Sequence, residues 1–284
     1  MSEFLIQHVH QIHIYEMVGM GILISLLECI IPLRPAADTL KLRWVGNLAL
    51  MILSFLIVGI ALPMFGYGWA SYCEEHGWGL FHHFRVPGWF NAIVTFLALD
   101  LLVYGRHRLA HTSSLLWRMH RLHHTDNDID FTTTFRFHPL DALLIIVLEG
   151  GLIALLGASA IGVVAFRLIS TIIDFTSHAN VKLPAAFDRL VRRIVITPYM
   201  HRIHHSQKLE EGTSNYGNVL PIWDRVLGTY LADPADGYVE LQPGLAEFTE
   251  RKHQSLPWML AQPFLSDPST VRSGVNAVSD SQSA

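Results

Sequence analysis

The chain has 284 residues, of which 51% are hydrophobic and only 15% are charged, and its formal charge at pH 7 is -4. Soluble domains carry about 25% charged residues, so this composition and a mean hydropathy of +0.33 exclude an ordinary water-soluble protein and indicate a membrane protein. No segment concentrates Lys and Arg beyond short patches, which excludes an electrostatic nucleic-acid footprint, and we expect no nucleic-acid partner.

Five stretches approach the roughly 20 apolar residues that a helix needs to cross a bilayer core. They are residues 17–33, 44–64, 89–104, 140–158 and 160–177. No Lys or Arg precedes the first stretch, unlike in a signal peptide, so we expect this stretch to be retained. Only a short turn around Gly157 separates the last two, which predicts a helical hairpin. Glu28 lies inside the first stretch, where we expect its side chain to snorkel or to face protein.

Positive charge in the connecting segments predicts the orientation. The link after the first stretch carries Arg34, Lys41 and Arg43, whereas the longer link before residue 89 contains a single arginine. Since cytoplasmic loops carry the excess of Lys and Arg, this link, residues 105–139 and residues 179–263 are predicted to be cytoplasmic. Five further arginines fall on the same side: Arg106, Arg108, Arg118, Arg121 and Arg136.

The predicted organisation is one integral-membrane domain over residues 1–264. Its five spans form a stalk, and residues 105–139 and 179–263 form a helical cap on the cytoplasmic side. The tail, residues 265–284, is rich in serine and lacks aromatic residues, so we expect it to be disordered.

Nine of the 17 histidines fall in clusters, or at the end of a span, on the predicted cytoplasmic face, most of them in the motifs "HRLAH", "HRLHH" and "HRIHH". Residues three or four apart share one face of a helix, so this is the spacing of metal ligands. The candidates are His107, His111, His120, His123, His124, His178, His201, His204 and His205. Nine imidazoles exceed the four to six donors of one ion, which implies two metals. His120 could share a metal with either His123 or His124.

Two carboxylates are candidates to hold these rings in place. A ligating imidazole generally donates its other N–H to a carboxylate or carbonyl. Asp100, Tyr104, His107 and His111 follow one helical stripe, and Asp174 precedes His178 by four residues. Asp100 and Asp174 are therefore expected to be hydrogen-bond partners of the ligands, and Tyr104, on the same stripe, is a further candidate.

The membrane setting helps to choose the metal, because imidazole alone suits iron, copper and zinc alike. A site at a membrane face is needed for a substrate reached from the bilayer, such as an acyl chain or a sterol ring. The unactivated C–H bonds of such lipids require activated dioxygen, and iron is then the expected metal.

Six ordered motifs between about residue 100 and residue 230 resemble the fatty acid hydroxylase and sterol desaturase superfamily of integral-membrane di-iron oxygenases. They are "DLLVYGRHRLAH", "LWRMHRLHHTD", "TTTFRFHPLD", "HAN", "TPYMHRIHHS" and "NYGNVLPIWDRVLGTY". The resemblance implies an all-α fold, a multi-pass helical stalk under a cytoplasmic cap, and two iron ions held by the nine histidines. It further implies dioxygen as co-substrate and a lipid, either sterol, fatty acyl or related, that is hydroxylated or desaturated at a C–H bond.

The resemblance also implies roles around the metals. His138 matches a family position and is expected to support the site rather than to ligate, Asn215 is expected near the metals as a hydrogen-bond partner, and Trp223 and Asp224 are expected to lock the cap. Asp174 stands where some relatives have a further histidine, which leaves a carboxylate, a water or an open position on one iron. Because no cytochrome b5-like domain is fused to the motifs, we expect a separate electron donor of the ferredoxin, cytochrome b5 or reductase type.

A second class of function stays open at this point, namely a membrane metal or haem carrier that binds through the same histidines without turnover. A carrier needs ligands along its transmembrane path, whereas the five predicted apolar stretches contain none of the nine histidines. Clustering on one face therefore favours the oxygenase.

Overall fold

The computed structural model describes residues 2–61 and 67–265, without the side chains of residues 2–7 and 67. The described part is all-helical and has no strand, only isolated bridges between Pro32 and Val181 and between Ser206 and Pro243. Its α-helices are α1 (Ser2–Ile30), α2 (Leu40–Ala61), α3 (Tyr67–Glu75), α4 (Leu80–His83), α5 (Gly88–Thr112), α6 (Ser114–His124), α7 (Pro139–Leu156), α8 (Ala160–Ser177), α9 (Ala185–Val191), α10 (Pro198–His204), α11 (Leu209–Gly212), α12 (Ile222–Val226) and α13 (Leu256–Ala261). Short 3₁₀ helices cover Phe131–Phe135, Ala246–Phe248, Arg251–Gln254 and Gln262–Phe264.

Five helices are long and apolar enough to cross a membrane, which confirms the predicted all-α, multi-pass architecture. They are His8–Ile30 within α1, α2, α5, α7 and α8. The bounds differ from the predicted ones mainly at α5, which continues past residue 104 to Thr112 and carries the first histidines on the same rod. The predicted end of the second stretch at Met64, and all of the predicted tail beyond residue 265, lie outside the described residues.

The α7–α8 hairpin turns on Gly157, as predicted. Gly157 ends α7 with φ of 66°, a left-handed conformation that glycine adopts without a steric penalty. A side chain there would also lie 2.1 Å from the carbonyl oxygen of Trp78. Ser159 then caps α8 through its hydroxyl, which accepts a hydrogen bond from the Gly162 N–H.

The end of α1 lies against the histidine-bearing segments. The carboxylate of Glu28 accepts hydrogen bonds from the backbone N–H groups of Phe131 and Asn180, each at 2.9 Å. The Leu33 N–H donates to the carbonyl of Asn180 at 3.0 Å. Glu28 therefore faces protein and ties α1 to the segment that follows His178.

A buried ion pair joins α2 to the cap. Arg43 is fully buried, and its guanidinium donates to both carboxylate oxygens of Asp126, at 2.5 and 3.0 Å, and to Asp130 at 2.9 Å. Thr133 donates a further hydrogen bond to Asp126. The segment after α6 is thus fixed to the second spanning helix.

Four of the arginines counted as loop charges are buried in the protein rather than free at a membrane surface. They are Arg43, Arg106, Arg121 and Arg136. Arg136 donates to the Leu122 carbonyl at 3.0 Å, and Arg121 donates to the Gln262 carbonyl at 2.7 Å. Because these four arginines have structural partners inside the protein, their position is not evidence for which side of the membrane is cytoplasmic. The cytoplasmic location of the cap stays a prediction.

The last described segment packs on α2. A side chain at Gly46 would meet Met259 Cε at 2.8 Å and the Gln254 carbonyl oxygen at 3.0 Å. Leu50, Leu122 and Met259 form a buried apolar cluster beside this contact. The C-terminal part of the cap is thereby anchored against both the stalk and α6.

Candidate metal centre

The nine predicted histidines lie together in two adjacent groups. Within each group, one ring nitrogen of every histidine lies within 4.8 Å of those of the others. One group contains five buried imidazoles: His107, His111, His120, His124 and His204. The other contains four buried imidazoles: His123, His178, His201 and His205. Each group could hold one metal ion, and the role of each histidine as a ligand stays a prediction.

Each H-x-x-H-H motif divides its histidines between the two groups. His120 and His124, four apart on α6, join the first group, whereas His123 joins the second. In the second motif, at the end of α10, the pair four residues apart, His201 and His205, joins the second group. His204 crosses to the first. Each motif therefore contributes one histidine to the group formed mainly by the other motif, so the two groups lie side by side.

The spacing between nitrogens fits metal coordination. The Nε2 atom of His178 lies 3.0 Å from that of His201 and 3.2 Å from that of His123, and His111 Nε2 lies 3.1 Å from His124 Nε2. Nitrogens that bind one ion at about 2.1 Å are roughly 3.0 Å apart in an octahedral shell and about 3.4 Å apart in a tetrahedral one.

Backbone carbonyls fix three of the rings and their tautomers. The Nδ1–H of His107 donates to the Tyr216 carbonyl at 2.9 Å, and that of His204 donates to the Ser214 carbonyl at 2.8 Å. His178 Nδ1–H donates likewise to the Asp174 carbonyl at 2.8 Å. A carbonyl only accepts, so the neutral ring must carry its proton on Nδ1 and offer the Nε2 lone pair to a metal.

Buried nitrogens without partners provide the test of whether a metal fits. The Nε2 atoms of His107 and His204 are buried and have no hydrogen-bond partner within residues 2–61 and 67–265. Because the Nδ1 atoms hold the protons, each Nε2 is an unsatisfied buried acceptor, which is costly in a protein interior. A metal ion would satisfy both, so the residues present fit such an ion.

Burial keeps the rings of the cap neutral. It lowers the pKa of His178 to about 4 and that of His204 to about 3, partly opposed by their hydrogen bonds to carbonyls. Burial also lowers the pKa of His124 and His205 well below the ordinary value of 6.5. At pH 7 each of these neutral imidazoles therefore keeps one N–H and offers a lone pair on its other ring nitrogen.

Two of the predicted supporting residues have partners other than histidine. The Asp100 carboxylate accepts hydrogen bonds from the backbone N–H groups of Val219 and Leu220, and from Trp223 Nε1 at 2.8 Å. The Tyr104 hydroxyl lies 2.9 Å from the Thr229 hydroxyl. Asp100 and Tyr104 therefore hold the segment of residues 219–229 against α5, instead of hydrogen-bonding the histidine rings.

The other three supporting residues also differ in detail from the prediction. His138 caps α7, accepting from the Leu140 N–H, and its Nε2 lies 3.2 Å from the Leu260 carbonyl, outside both groups. Asp174 supports His178 through its backbone carbonyl, whereas its carboxylate belongs to neither group. The Asn215 amide hydrogen-bonds the backbone of Met200 and Leu231 instead of a histidine.

The backbone around Asn215 is the part of the site that sequence reasoning missed. Ser214 and Tyr216, whose carbonyls hold His204 and His107, flank Asn215, which has φ of 53°. Asp224 fixes the same loop by accepting from the Tyr216 and Gly217 N–H groups at 2.8 and 2.9 Å. No side-chain pattern could reveal a carbonyl contact, although "NYG" is a turn signal.

A cavity of about 340 Å³ opens beside the histidines among α2, α5, α7 and α8. Its wall includes His107, His120, His123 and His178, and is otherwise largely apolar. Asp141, which sequence analysis did not assign, lies on this wall, with Oδ2 at 3.5 Å from His120 Nδ1.

Comparison with known proteins gives a consistent picture. The family model "Fatty acid hydroxylase" matches residues 92–229. An ornithine lipid hydroxylase of Rhizobium tropici is 34% identical over 185 residues, covering 64% of this chain and 54% of the relative. The human alkylglycerol monooxygenase is 28% identical over 162 residues, covering 55% of this chain and 34% of the relative. The chain thus spans about half of the first relative and a third of the second, and no solved structure matches it significantly.

Proposed function

Because residues 92–229 match the family model "Fatty acid hydroxylase", we propose that this chain is a membrane-embedded, metal-dependent oxygenase that hydroxylates a lipid. The observation that carries the proposal is the convergence of nine buried imidazoles beside a largely apolar cavity among the spanning helices. Such a site can be reached by a lipid without its leaving the bilayer.

The proposed cofactors are two iron ions, one in each histidine group. Iron bound there would supply the reductive activation of dioxygen. The protein holds the neutral imidazoles in place: carbonyls of the Asn215 loop fix His107 and His204, and the carbonyl of Asp174 fixes His178. Such fixed rings hold their geometry without reorganisation when an ion binds.

The proposed reaction inserts one oxygen atom of dioxygen into a C–H bond and reduces the other to water. It consumes two electrons and two protons, which a separate donor of the ferredoxin, cytochrome b5 or reductase type must deliver. We favour hydroxylation over desaturation because the relatives are named as a hydroxylase and a monooxygenase. Their names also make amino-acid lipids and ether lipids the first substrates to test.

The cavity wall supports this proposal by excluding water from the reacting carbon. Val103, Phe137, Ile145 and Phe166 contribute apolar surface to it. Phe137 also stacks on His123, with ring centroids 4.4 Å apart. A C–H bond held against this wall would lie beside the ligands and away from bulk solvent.

The test is to purify the full chain with iron under reducing conditions and to count the metal. We expect two iron atoms per chain, oxygen consumption that depends on both lipid and reduced donor, and a product heavier by one oxygen atom. A matched chain with His204→Ala controls for oxygen uptake by free iron. Fewer than two metals would contradict the di-iron site, and stable iron without lipid-dependent oxygen uptake would favour the carrier.

A further inference from the structure

The cavity beside the histidines is charged as well as apolar. Five charged side chains on its wall belong to spanning helices: Arg106, Asp141, Glu149, Arg167 and Asp174. Charge in a spanning segment is costly and generally functional. A ligand that consists only of a hydrocarbon chain would therefore not account for the charged residues in the wall of this cavity.

Four of these charges neutralise one another. Arg106 pairs with Asp141, and Arg167 pairs with Glu149. Asp174 is left over: its carboxylate accepts only a hydrogen bond from the Ser170 hydroxyl, at 3.3 Å, and forms no ion pair within the described residues. One carboxyl group of the wall is therefore left without a cationic partner among the described residues, at a residue one helical turn before His178.

A second acceptor on the same wall is also unsatisfied. Asp141 is only 2% exposed, and its other oxygen meets Arg106; its Oδ2 atom makes no hydrogen bond within the described residues and lies 3.5 Å from His120 Nδ1. Buried carboxylate oxygens are normally paired. Asp141 and Asp174 thus offer acceptors to a ligand that brings positive charge and N–H donors.

An apolar groove continues from this cavity toward the lipid. It runs between α1 and α2, and it shares Met51 and Phe135 with the cavity wall. On its α1 side, Val18, Ile22 and Leu26 are each more than half exposed, so this side faces the bilayer. An acyl chain that leaves the cavity past Met51 and Phe135 would remain in apolar surroundings.

Building on the proposed lipid oxygenation, we propose that the substrate is a lipid with a primary amine in its head group, bound head first. The amine contacts Asp174 in the charged cavity, and the acyl chain passes Met51 and Phe135 into the groove. The carbons nearest the histidines then belong to the head group rather than to the far end of the chain.

The head-group test compares lipids with identical acyl chains and different heads: a primary amine, a trimethylammonium and an uncharged hydroxyl. Binding to the full chain in nanodiscs is measured by competition with a lipid that is fluorescent in its chain, and the hydroxylated product is measured separately. We expect the amine to bind most tightly, because only it brings both charge and N–H donors. Asp174→Asn should weaken its binding about tenfold, and Asp174→Glu should restore part of it.

The exposed Asp38→Asn change is the matched control and should alter nothing. The iron content of Asp174→Asn should equal that of the native chain, and its binding of the hydroxyl lipid should not change. Equal binding of amine and hydroxyl lipids by the native chain would overturn the proposal. Loss of iron from Asp174→Asn would also overturn it, since Asp174 would then be a metal ligand.

The groove is tested by chain length. Met51→Trp should weaken binding of an amine lipid with a long chain and spare an analogue with a chain of a few carbons. Ile52→Trp, on the exposed side of α2, is the control. Equal loss for both chain lengths would contradict passage at Met51. If the chain prefers amine lipids but oxidises none of them, only the proposed oxygenase function is contradicted. If it oxidises lipids with all three head groups equally, only the recognition of the amine head group is contradicted.

Discussion

Three of the imidazoles at the centre are fixed by backbone carbonyls, through the nitrogen that does not face the other rings. His107, His178 and His204 donate Nδ1–H to carbonyls on three different segments of the chain. A carbonyl fixes a tautomer without adding charge, so it prepares the ring for a cation at no extra electrostatic cost.

Replacement of His124 or His204 by alanine should release iron and lower turnover by at least about 100-fold, more than the loss typical of a supporting residue. Both side chains belong to the group of five histidines, so each replacement removes one nitrogen donor from the same proposed ion. Iron content and product formation are measured on protein extracted from membranes. His83→Ala, an exposed ring in α4, is the matched control. Normal turnover in either variant would remove that residue from the ligand set.

Asn215→Ala should destabilise the loop between the two carbonyl contacts. A non-glycine residue with positive φ costs about 1–2 kcal/mol, and alanine also loses the hydrogen bonds to Met200 and Leu231. We expect a lower melting temperature and about tenfold weaker iron binding. Asn215→Gly should recover the backbone contribution only. If both variants bind iron like the native chain, the loop does not position the rings.

The motif spacing predicts which histidines come together but not how they divide between two groups. Positions i+3 and i+4 lie on the same side of a helix, so His120 could pair with either neighbour. The structure pairs it with His124, because the rings of α10 approach from the other side and take up His123. That choice depends on a contact between helices distant in sequence, which no local pattern contains.

At the scale of elements, the apolar stretches predict the spanning helices well, whereas the contacts between stalk and cap are not visible in sequence. Arg43 shows why. In sequence it is one of three basic residues in a link, but in the structure it begins the second spanning helix and pairs with Asp126, 83 positions away. Charge patterns cannot separate a loop cation from a buried one when the partner is so distant.

Arg43→Met should therefore destabilise the fold by about 3–5 kcal/mol, because it leaves the buried Asp126 carboxylate without its cation. Asp126→Leu should cost a similar amount, and the double variant should cost less than the sum. Thermal unfolding in detergent measures each change. Lys252→Met, which breaks an exposed ion pair with Glu250, is the control and should cost less than about 1 kcal/mol. Simple additivity would show that α2 and the cap are not joined through this pair.

At the scale of the whole molecule, the alternation of five helices puts the histidine groups at one end and the α7–α8 turn at the other. Gly157 in that turn contacts Trp78, so the segment between α3 and α4 shares the far end. Hydropathy predicts this arrangement. It does not predict the charged cavity, since Arg106, Glu149 and Arg167 look in sequence like isolated polar residues until their partners are known.

Which end faces the cytoplasm is predicted by the lysine and arginine bias, now reduced to residues such as the exposed Lys41 in the first link. In a Cys29→Ser background, where the remaining native cysteine, Cys73, is buried, a cysteine introduced at Glu75 should react with a membrane-impermeant maleimide in intact cells. One at Lys252, in the cap, should react only after permeabilisation. Both native side chains are exposed, so reactivity reports location. The reverse pattern would place the metal centre outside, where no cytoplasmic electron donor could reach it, and the proposed oxygenase would need a donor of another compartment.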